Sequence, residues 1–384
     1  MQSMYNVCYT LTAIYERVVS SLRRKYLDNL RSITVLLVVL YHVFYIFNGS
    51  GVLGGVGPIT EGRGADILLY LLYPWFMFLL FAVSGMSARY SLERRTHRAF
   101  IRTETRKLLL PSTVGLFVFW WILGYFNVRF GGAFDHAAIP LPIRYLIYSL
   151  SGTGPLWYIQ MLWLFSLGLV LIRKLEKDRL YRLCEKIGIW LLPPLFFAVW
   201  GSAQILNTPV VVVYRFGFYG LAYLIGYFVF SHDAIIEKLK KLWLPLCLAA
   251  VAAEIAFTVL YFDVPYTDDA VLRSPLCCLC AWVTTLAALA VMKRWGDVEN
   301  AFFAQIKKRS WGLYLFHYLP LAVCAYAVYH APFSPFVKYL LTALCAFAGA
   351  IVLYEVLSRI PFVRTVVCGI GKGSIRQKKN KTQN

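Results

Sequence analysis

Long apolar runs separated by short polar segments constrain the fold of this chain more than any other feature. Each run is long enough, allowing for tilt, to cross the hydrocarbon core of a bilayer, which takes roughly 20 residues of helix. The runs are 33–49, 66–88, 108–127, 156–173, 189–206, 209–230, 242–262, 272–292, 311–330 and 336–357. Lipid offers backbone polar groups no partners, so spanning runs of this kind fold as helices. The sequence therefore predicts an all-α, polytopic membrane bundle of about ten transmembrane helices.

The composition agrees with a membrane protein. Hydrophobic residues make up 59% of the chain and charged residues 15%, whereas soluble domains carry about 25% charged residues. The net charge of +20 would by itself suit a nucleic-acid-binding protein. Basic cytoplasmic loops give a membrane protein the same net charge, so the distribution of the charges decides between the two interpretations.

The lysines and arginines lie overwhelmingly on one side of the predicted membrane. That side carries both terminal segments and alternate loops, and it holds nearly all of the 39 basic residues. The exceptions are Arg63, Arg129, Arg144, Arg273 and Lys338 on the other side, and Arg215 inside a run. The positive-inside rule then predicts cytoplasmic N and C termini in a multi-pass protein of the cell (plasma) membrane, of the bacterial inner-membrane kind, without nucleic acid as a partner.

We expect three parts along the chain. These are a cytoplasmic N-terminal segment (1–29) that includes an amphipathic helix, a membrane domain (30–365), and a basic, disordered cytoplasmic tail (366–384) near anionic membrane lipids. The first segment shows no cleavable signal pattern. The nine cysteines have no spacing that suits zinc or a disulfide framework, so we interpret them as small apolar packing residues and expect no metal site.

The first apolar run carries an arginine and a histidine on one helix face. Arg31 and His42 return to the same face roughly 16 Å apart at about 100° and 1.5 Å per residue. Ionisable side chains within spans are costly and are functional candidates by default. An imidazole can take a proton from a hydroxyl nucleophile. We predict a pore in which Arg31 holds an anion at the inner mouth and His42 acts as a base deeper inside; the competing interpretation of His42 is a packing hydrogen bond.

A basic segment precedes the third run. Arg98, Arg102 and Arg106 recur every four residues and share a face if the segment is helical. Guanidinium groups bind phosphates bidentately, so this stripe suits a phosphorylated ligand. Topology alone accounts for most of the basic residues here. Arg102 and Arg106, with Lys107 beside them, are the candidates for ligand binding, and Arg98 is an additional one.

Four more ionisable residues lie in or near the runs. Arg215 and Glu254 or Glu355 could form a buried pair that satisfies charges in lipid. Glu355 lies near the end of the last run, where it could also cap or pair. His317 is either functional or hydrogen-bonded to Tyr314 or to a backbone carbonyl. His317 and Glu355 are therefore further candidate site residues.

Several short motifs follow one another along the chain. They are Arg31 and His42 with ten residues between them, Phe81-Ala-Val-Ser-Gly85, Arg106-Lys-Leu-Leu-Leu-Pro111, Gly154-Pro-Leu-Trp-Tyr158, and the segment from Ser310 to His317. In this order the motifs resemble the acyltransferase-3 family of integral-membrane O-acyltransferases, over about residues 26–365.

The resemblance implies a ten-helix bundle and a reaction. In the reaction of that family, an acyl group, most often acetyl, passes from cytosolic acyl-coenzyme A, the co-substrate, to a hydroxyl of an extracytoplasmic carbohydrate, glycolipid or other molecule. It also assigns the essential arginine and histidine to Arg31 and His42.

The resulting hypothesis is an O-acyltransferase. Arg31, Arg102 and Arg106 would bind the coenzyme A phosphates, and His42 would act as general base or form an acyl-histidine. The alternative is a transporter or flippase for a lipid-linked sugar or organic anion, against which the sequence shows no internal repeat and no paired broken helices. A purely structural scaffold would leave the alignment of Arg31 with His42 to chance.

Overall fold

Helices form every regular element that the structure describes. This computed structural model describes residues 24–52, 54–60, 62–132, 139–208 and 211–371. The first α-helices are α1 Lys25–Tyr45, α2 Ile67–Leu72, α3 Phe76–Leu92, α4 His97–Glu104, α5 Leu110–Ser112, α6 Trp121–Phe130, α7 Leu141–Ser151, α8 Trp157–Glu176, α9 Arg179–Ile187 and α10 Leu192–Ser202. They are followed by α11 Phe216–Ile225, α12 Asp233–Lys241, α13 Trp243–Tyr261, α14 Asp269–Arg273, α15 Pro275–Trp295, α16 Ala301–Phe316, α17 Tyr318–Tyr329, α18 Pro335–Leu357 and α19 Pro361–Val366.

Short helices of other types extend several of these. The 3₁₀ turns are Gly64–Asp66, Gly154–Leu156 and Gly188–Leu191, and the π-helical segments are Thr105–Leu109, Leu116–Trp120 and Gly226–Phe230. Within the described ranges the extended pairing is confined to one isolated bridge between Asn207 and Arg215.

Among the described residues, eight helical stretches are long and apolar enough to cross a membrane, and counting each of two bent pairs as one span brings the number to ten. The eight are Lys25–Tyr45, Gly64–Leu92, His97–Phe130, Gly154–Glu176, Arg179–Ser202, Trp243–Tyr261, Pro275–Trp295 and Pro335–Leu357. The pairs are Phe216–Phe230 with Asp233–Lys241, bent by 95°, and Ala301–Phe316 with Tyr318–Tyr329, bent by 60°. The predicted all-α polytopic bundle of about ten helices is confirmed.

The first helix begins at Lys25, before the predicted boundary at residue 30. A buried polar side chain in this added segment contacts the residues that follow α15. Asn29 is fully buried, and its Nδ2 donates hydrogen bonds of 2.8 Å to the carbonyl oxygens of Gly296 and Val298. Both hydrogens of the buried amide nitrogen are paired in this way.

The two ends of the chain fall partly outside the described residues. Residues 1–23 of the segment in which an amphipathic helix is predicted (1–29) and residues 372–384 of the predicted tail (366–384) lie outside the described residues. The start of the tail is described, and Val367 and Cys368 are buried there. Trp311 Nε1 donates a hydrogen bond of 3.0 Å to the carbonyl oxygen of Cys368. Residues up to 371 therefore pack on the membrane domain.

Helix α1 lies inside the bundle. It packs against α3, α15, α16 and α18, and Val38, Val39 and Tyr41 on it are buried. Arg31 and His42 consequently face other helices of the protein and the spaces between them.

A proline breaks the helical segment that contains His317. Pro320 has no N–H for the carbonyl of Phe316, four residues earlier, and its ring would clash with that carbonyl. The axis bends by 60° between α16 and α17, and His317 is the residue at the bend. The sequence showed no paired broken helices, whereas two bent helix pairs occur among the described residues.

Candidate functional site

A cavity of about 220 Å³ surrounds the Arg31 side chain. We call it the Arg31 cavity. The guanidinium Nη2 of Arg31 donates a hydrogen bond to the hydroxyl of Ser87. Ser84, Ser87 and Ser91 all line the cavity, since spacings of three and four residues place them on one face of α3. One side of the cavity is thus a hydroxyl-bearing strip beside a cation.

Lys107 is a second cation in the wall of this cavity. Lys107 and Glu104 line it together with Arg31. The ammonium of Lys107 lies 4.9 Å from the centroid of the Trp311 ring, a distance at which cation–π attraction holds an ammonium in place. The Arg31 cavity therefore combines two cations with one carboxylate, and it suits an anionic ligand.

The predicted arginine stripe lies on the opposite side of its helix. Phe100 and Leu108 line the Arg31 cavity and are buried. Arg98, Arg102 and Arg106 share an exposed face, which 100° per residue places roughly opposite Phe100, and none of the three lines the cavity. The guanidinium of Arg106 packs against Gly371 instead. The stripe exists, but it faces away from the cavity.

A second cavity, of about 600 Å³, lies along the other half of α1 and contains the His42 ring in its wall. We call it the His42 cavity. Seven aromatic side chains line it, those of Tyr41, Tyr45, Tyr73, Phe76, Trp157, Tyr219 and Tyr318. Asn127 and Asp268 contribute polar groups. Tyrosine and tryptophan rings pair an apolar face with a polar edge, which suits the faces and hydroxyls of a sugar.

His42 and His317 meet at the boundary of this cavity. Nδ1 of His42 lies 2.7 Å from the carbonyl oxygen of Val38 and 3.2 Å from Nε2 of His317. His317 is fully buried, and its Nδ1 lies 2.9 Å from the carbonyl oxygens of Leu313 and Tyr314. Both histidines therefore make the packing hydrogen bonds that the competing interpretation expected, and they also contact each other.

A thin layer of side chains separates the two cavities. Tyr158 and Tyr314 line the Arg31 cavity, whereas Pro155 lines the His42 cavity. The Tyr314 hydroxyl donates to the carbonyl oxygen of Pro155, and the Tyr158 hydroxyl lies 2.8 Å from Ser84 Oγ. Arg31 and His42 share one helix face as predicted, but each lines its own cavity. The prediction of a single pore differs from the structure because side chains from other helices fill the space between the two residues.

The remaining candidates lie elsewhere. Glu355 is exposed on α18 and lines neither cavity. Arg215 Nη2 donates a hydrogen bond of 2.7 Å to the carbonyl oxygen of Leu272, and Glu254 accepts one of 3.0 Å from Thr284. Across the described residues, the expected ion pair of Arg215 with Glu254 or Glu355 does not form. Both buried residues instead satisfy part of their polar groups locally.

The sequence analysis did not identify three serines and one glutamate that line the Arg31 cavity. Ser84, Ser87 and Ser91 repeat on one face of an otherwise apolar run, and that spacing was the available signal. Glu104 is an acidic residue amid basic ones. No cluster of three or more potential metal-ligating side chains occurs among the described residues.

Comparisons with known proteins identify the family. No match to this chain was found among curated proteins or among solved structures. The sequence model of acyltransferase family 3, described as an acyltransferase domain, matches residues 24–355. The match spans the helices that form both cavities, from α1 to most of α18. The chain therefore belongs to acyltransferase family 3 and is a membrane acyltransferase.

Proposed function

We propose that this protein acts at the plasma membrane and transfers an acyl group from acyl-coenzyme A to a hydroxyl of an extracytoplasmic carbohydrate or glycolipid. The acyl group that we propose first is acetyl. One arrangement carries the proposal: a cationic cavity and a histidine-bearing cavity lie along the same helix with only a layer of side chains between them. A donor would place its phosphates in the first cavity, and an acceptor would place its hydroxyls in the second.

The donor would bind with its phosphates near Arg31 and Lys107. Both side chains line the Arg31 cavity, and charge-assisted hydrogen bonds from such cations to phosphate are strong. The serine hydroxyls of α3 would hydrogen-bond the amide groups of the pantetheine arm. Because Arg102 and Arg106 face away from the cavity, the proposed donor site is narrowed to Arg31 and Lys107.

His42 would act as the general base. Its imidazole would take the proton of an acceptor hydroxyl while that oxygen attacks the thioester carbonyl carbon. The carbon–sulfur bond then breaks, and the leaving thiolate takes the proton back from the imidazole. Attack of His42 itself on the thioester, giving an acyl-histidine, is the other chemical route. In either route the thioester must pass the layer that contains Tyr158 and Tyr314.

A label-transfer assay tests the proposal. Inverted vesicles that contain the protein receive radiolabelled acetyl-coenzyme A, and label covalently attached to glycan or glycolipid is counted. We expect transfer with the wild type and none with His42→Ala, while His330→Ala, which changes an exposed histidine that lines neither cavity, keeps full activity. Transfer by a correctly inserted His42→Ala protein would remove the general base from this proposal.

The transporter or flippase hypothesis gains one observation. A helix broken at His317 and two cavities separated by a layer are also features of proteins that expose a binding site to each side of a membrane in turn. The same vesicles distinguish the two functions. Movement of a labelled lipid-linked sugar across the bilayer without covalent attachment of the acetyl label would favour transport.

A further inference from the structure

Two backbone carbonyls determine the protonation pattern of the His317 ring. Nδ1 of His317 lies 2.9 Å from the carbonyl oxygens of Leu313 and Tyr314. Carbonyl oxygens only accept hydrogen bonds, so Nδ1 carries a hydrogen. In the neutral ring the other nitrogen then holds a lone pair. Nε2 of His317, which faces His42, is therefore a hydrogen-bond acceptor.

That acceptor determines the pattern of the His42 ring in turn. Nδ1 of His42 lies 2.7 Å from the carbonyl oxygen of Val38 and 3.2 Å from Nε2 of His317. Both neighbours are acceptors, so Nδ1 of His42 carries the hydrogen and shares it between them. Nε2 of His42 is then the unprotonated nitrogen. It makes no hydrogen bond to any described residue, and the ring lines the His42 cavity.

We propose that His317 is a positioning residue for His42, and this inference rests on the proposed acyl transfer. Together with the Val38 carbonyl, it holds Nδ1 of His42 protonated, so that Nε2 faces the acceptor with its lone pair. When Nε2 takes the proton of the acceptor hydroxyl, His317 Nε2 stabilises the resulting imidazolium through the same hydrogen bond. The proton on Nδ1 stays in place throughout, and the proton on Nε2 leaves with the thiol.

The Val38 carbonyl alone would not give this control. Val38 belongs to the same helix as His42, four residues earlier, so that contact moves with α1. His317 is 275 residues away in sequence and belongs to the bent segment between α16 and α17. Its position fixes the orientation of the His42 ring relative to the layer between the cavities, which Tyr314, three residues before His317, helps to form.

Two substitutions at residue 317 test the proposal. The carboxamide oxygen of His317→Gln can accept the hydrogen of His42 Nδ1, whereas His317→Leu removes this acceptor and leaves only the Val38 carbonyl. We expect kcat to fall about a hundredfold in His317→Leu, as for loss of a working general base, with KM for both substrates within about twofold of wild type. His317→Gln should recover at least about a tenth of the wild-type kcat. His330→Leu, the same change at an exposed histidine, should leave kcat unchanged.

A wild-type kcat in a folded His317→Leu protein would overturn the proposal. An equal loss in folded Gln and Leu variants would overturn it as well. A second measurement depends neither on activity nor on a change at residue 317: ¹⁵N spectra of histidine-labelled wild-type protein in nanodiscs at neutral pH, with the His42 signals assigned by comparison with His42→Gln. We expect a protonated Nδ1 and an unprotonated Nε2 on His42. The reverse pattern would refute the positioning role, whereas absence of acetyl transfer by the wild type would refute only the proposed reaction.

Discussion

The Tyr314 hydroxyl donates a hydrogen bond to the carbonyl oxygen of Pro155 and thereby joins the walls of the two cavities. Tyr314 lines the Arg31 cavity and Pro155 lines the His42 cavity. The Tyr158 ring packs edge-on against the Tyr314 ring, with centroids 5.5 Å apart. An acyl group that moves from one cavity to the other must displace this pair. The layer would therefore also keep water in the His42 cavity away from a bound thioester.

Removing this hydrogen bond should let water pass the layer more often. A hydrogen bond contributes about 0.5–1.5 kcal/mol, so Tyr314→Phe should open the layer about twofold to thirteenfold more often. We expect release of free thiol from acetyl-coenzyme A, in the absence of acceptor, to rise by a similar factor. The measurement is a thiol-reactive dye assay on protein in nanodiscs.

Tyr145→Phe is the matched control for this prediction. The Tyr145 hydroxyl also donates to a backbone carbonyl, that of Phe117, but at an exposed position outside both cavities. Hydrolysis by Tyr145→Phe should stay at the wild-type rate. An unchanged rate in Tyr314→Phe, or the same increase in both variants, would show that the tyrosine pair is not the barrier to water.

Lys107 and Arg102 should differ in their effect on donor binding. Lys107 lines the Arg31 cavity, whereas Arg102 is exposed on the other side of its helix. Loss of a charge-assisted hydrogen bond costs about 1.5–3 kcal/mol, so Lys107→Ala should raise KM for acetyl-coenzyme A at least about tenfold. Arg102→Ala also removes one positive charge, but from outside the cavity, and should leave KM for acetyl-coenzyme A within about twofold of wild type. Equal increases in the two variants would favour a general surface attraction over a defined phosphate site.

The number and type of the helices could be predicted because the membrane imposes a length and a backbone requirement on each apolar run. The face shared by Arg31 and His42 followed from the period of a single helix. The contact between His42 and His317 could not be predicted in this way, since the two residues are 275 positions apart. It depends on how α1 packs beside a helix that Pro320 bends.

The arginine stripe shows a second limit of periodicity. A repeat of four residues correctly indicates that Arg98, Arg102 and Arg106 share a face, but it does not say where that face points. Phe100, which is buried, carries that information, because the apolar side of an amphipathic helix packs inward. The side opposite the stripe was therefore the better prediction for the cavity.

Close backbone contact between α3 and α11 should make Gly85 intolerant of a side chain. A Cβ at Gly85 would overlap the Tyr223 carbonyl, and one at Gly226 would overlap the Ala82 carbonyl. Such glycines let membrane helices approach each other closely. Gly85→Ala should lower the free energy of unfolding by about 1–3 kcal/mol, as overpacking does. Thermal unfolding in detergent measures the change.

Gly168 provides the control for Gly85. A Cβ built there meets nothing within 4 Å, and the residue lies inside α8. Gly168→Ala should leave stability unchanged or raise it by up to about 1 kcal/mol, the difference in helix propensity between the two residues. A similar loss in both variants would mean that α3 and α11 do not depend on the close approach at Gly85.

The turn between α8 and α9 should respond to acid through Asp178. Lys177 and Asp178 adopt left-handed backbone angles, with φ of 49° and 59°, which cost energy for residues with a Cβ. The Asp178 carboxylate accepts a hydrogen bond of 2.6 Å from Arg89 Nη1, and Arg89 is buried. Partial burial alone would raise the pKa of Asp178, but the hydrogen bond and the charge of Arg89 outweigh it and hold the pKa below its ordinary value.

A carboxyl whose pKa is lower in the folded than in the unfolded protein stabilises the fold above its unfolded-state pKa, and this contribution is lost as the pH falls through the folded-state pKa. Asp178→Asn should therefore lower the Tm at pH 7, and the difference from wild type should shrink progressively below about pH 4. Asp269→Asn removes an exposed partner of Arg273, and pairs of that kind contribute little. It should show neither effect. A Tm difference for Asp178→Asn that stays constant down to acid pH would contradict this prediction. The loss of stability would then come from the geometry of the turn and not from the charge of Asp178.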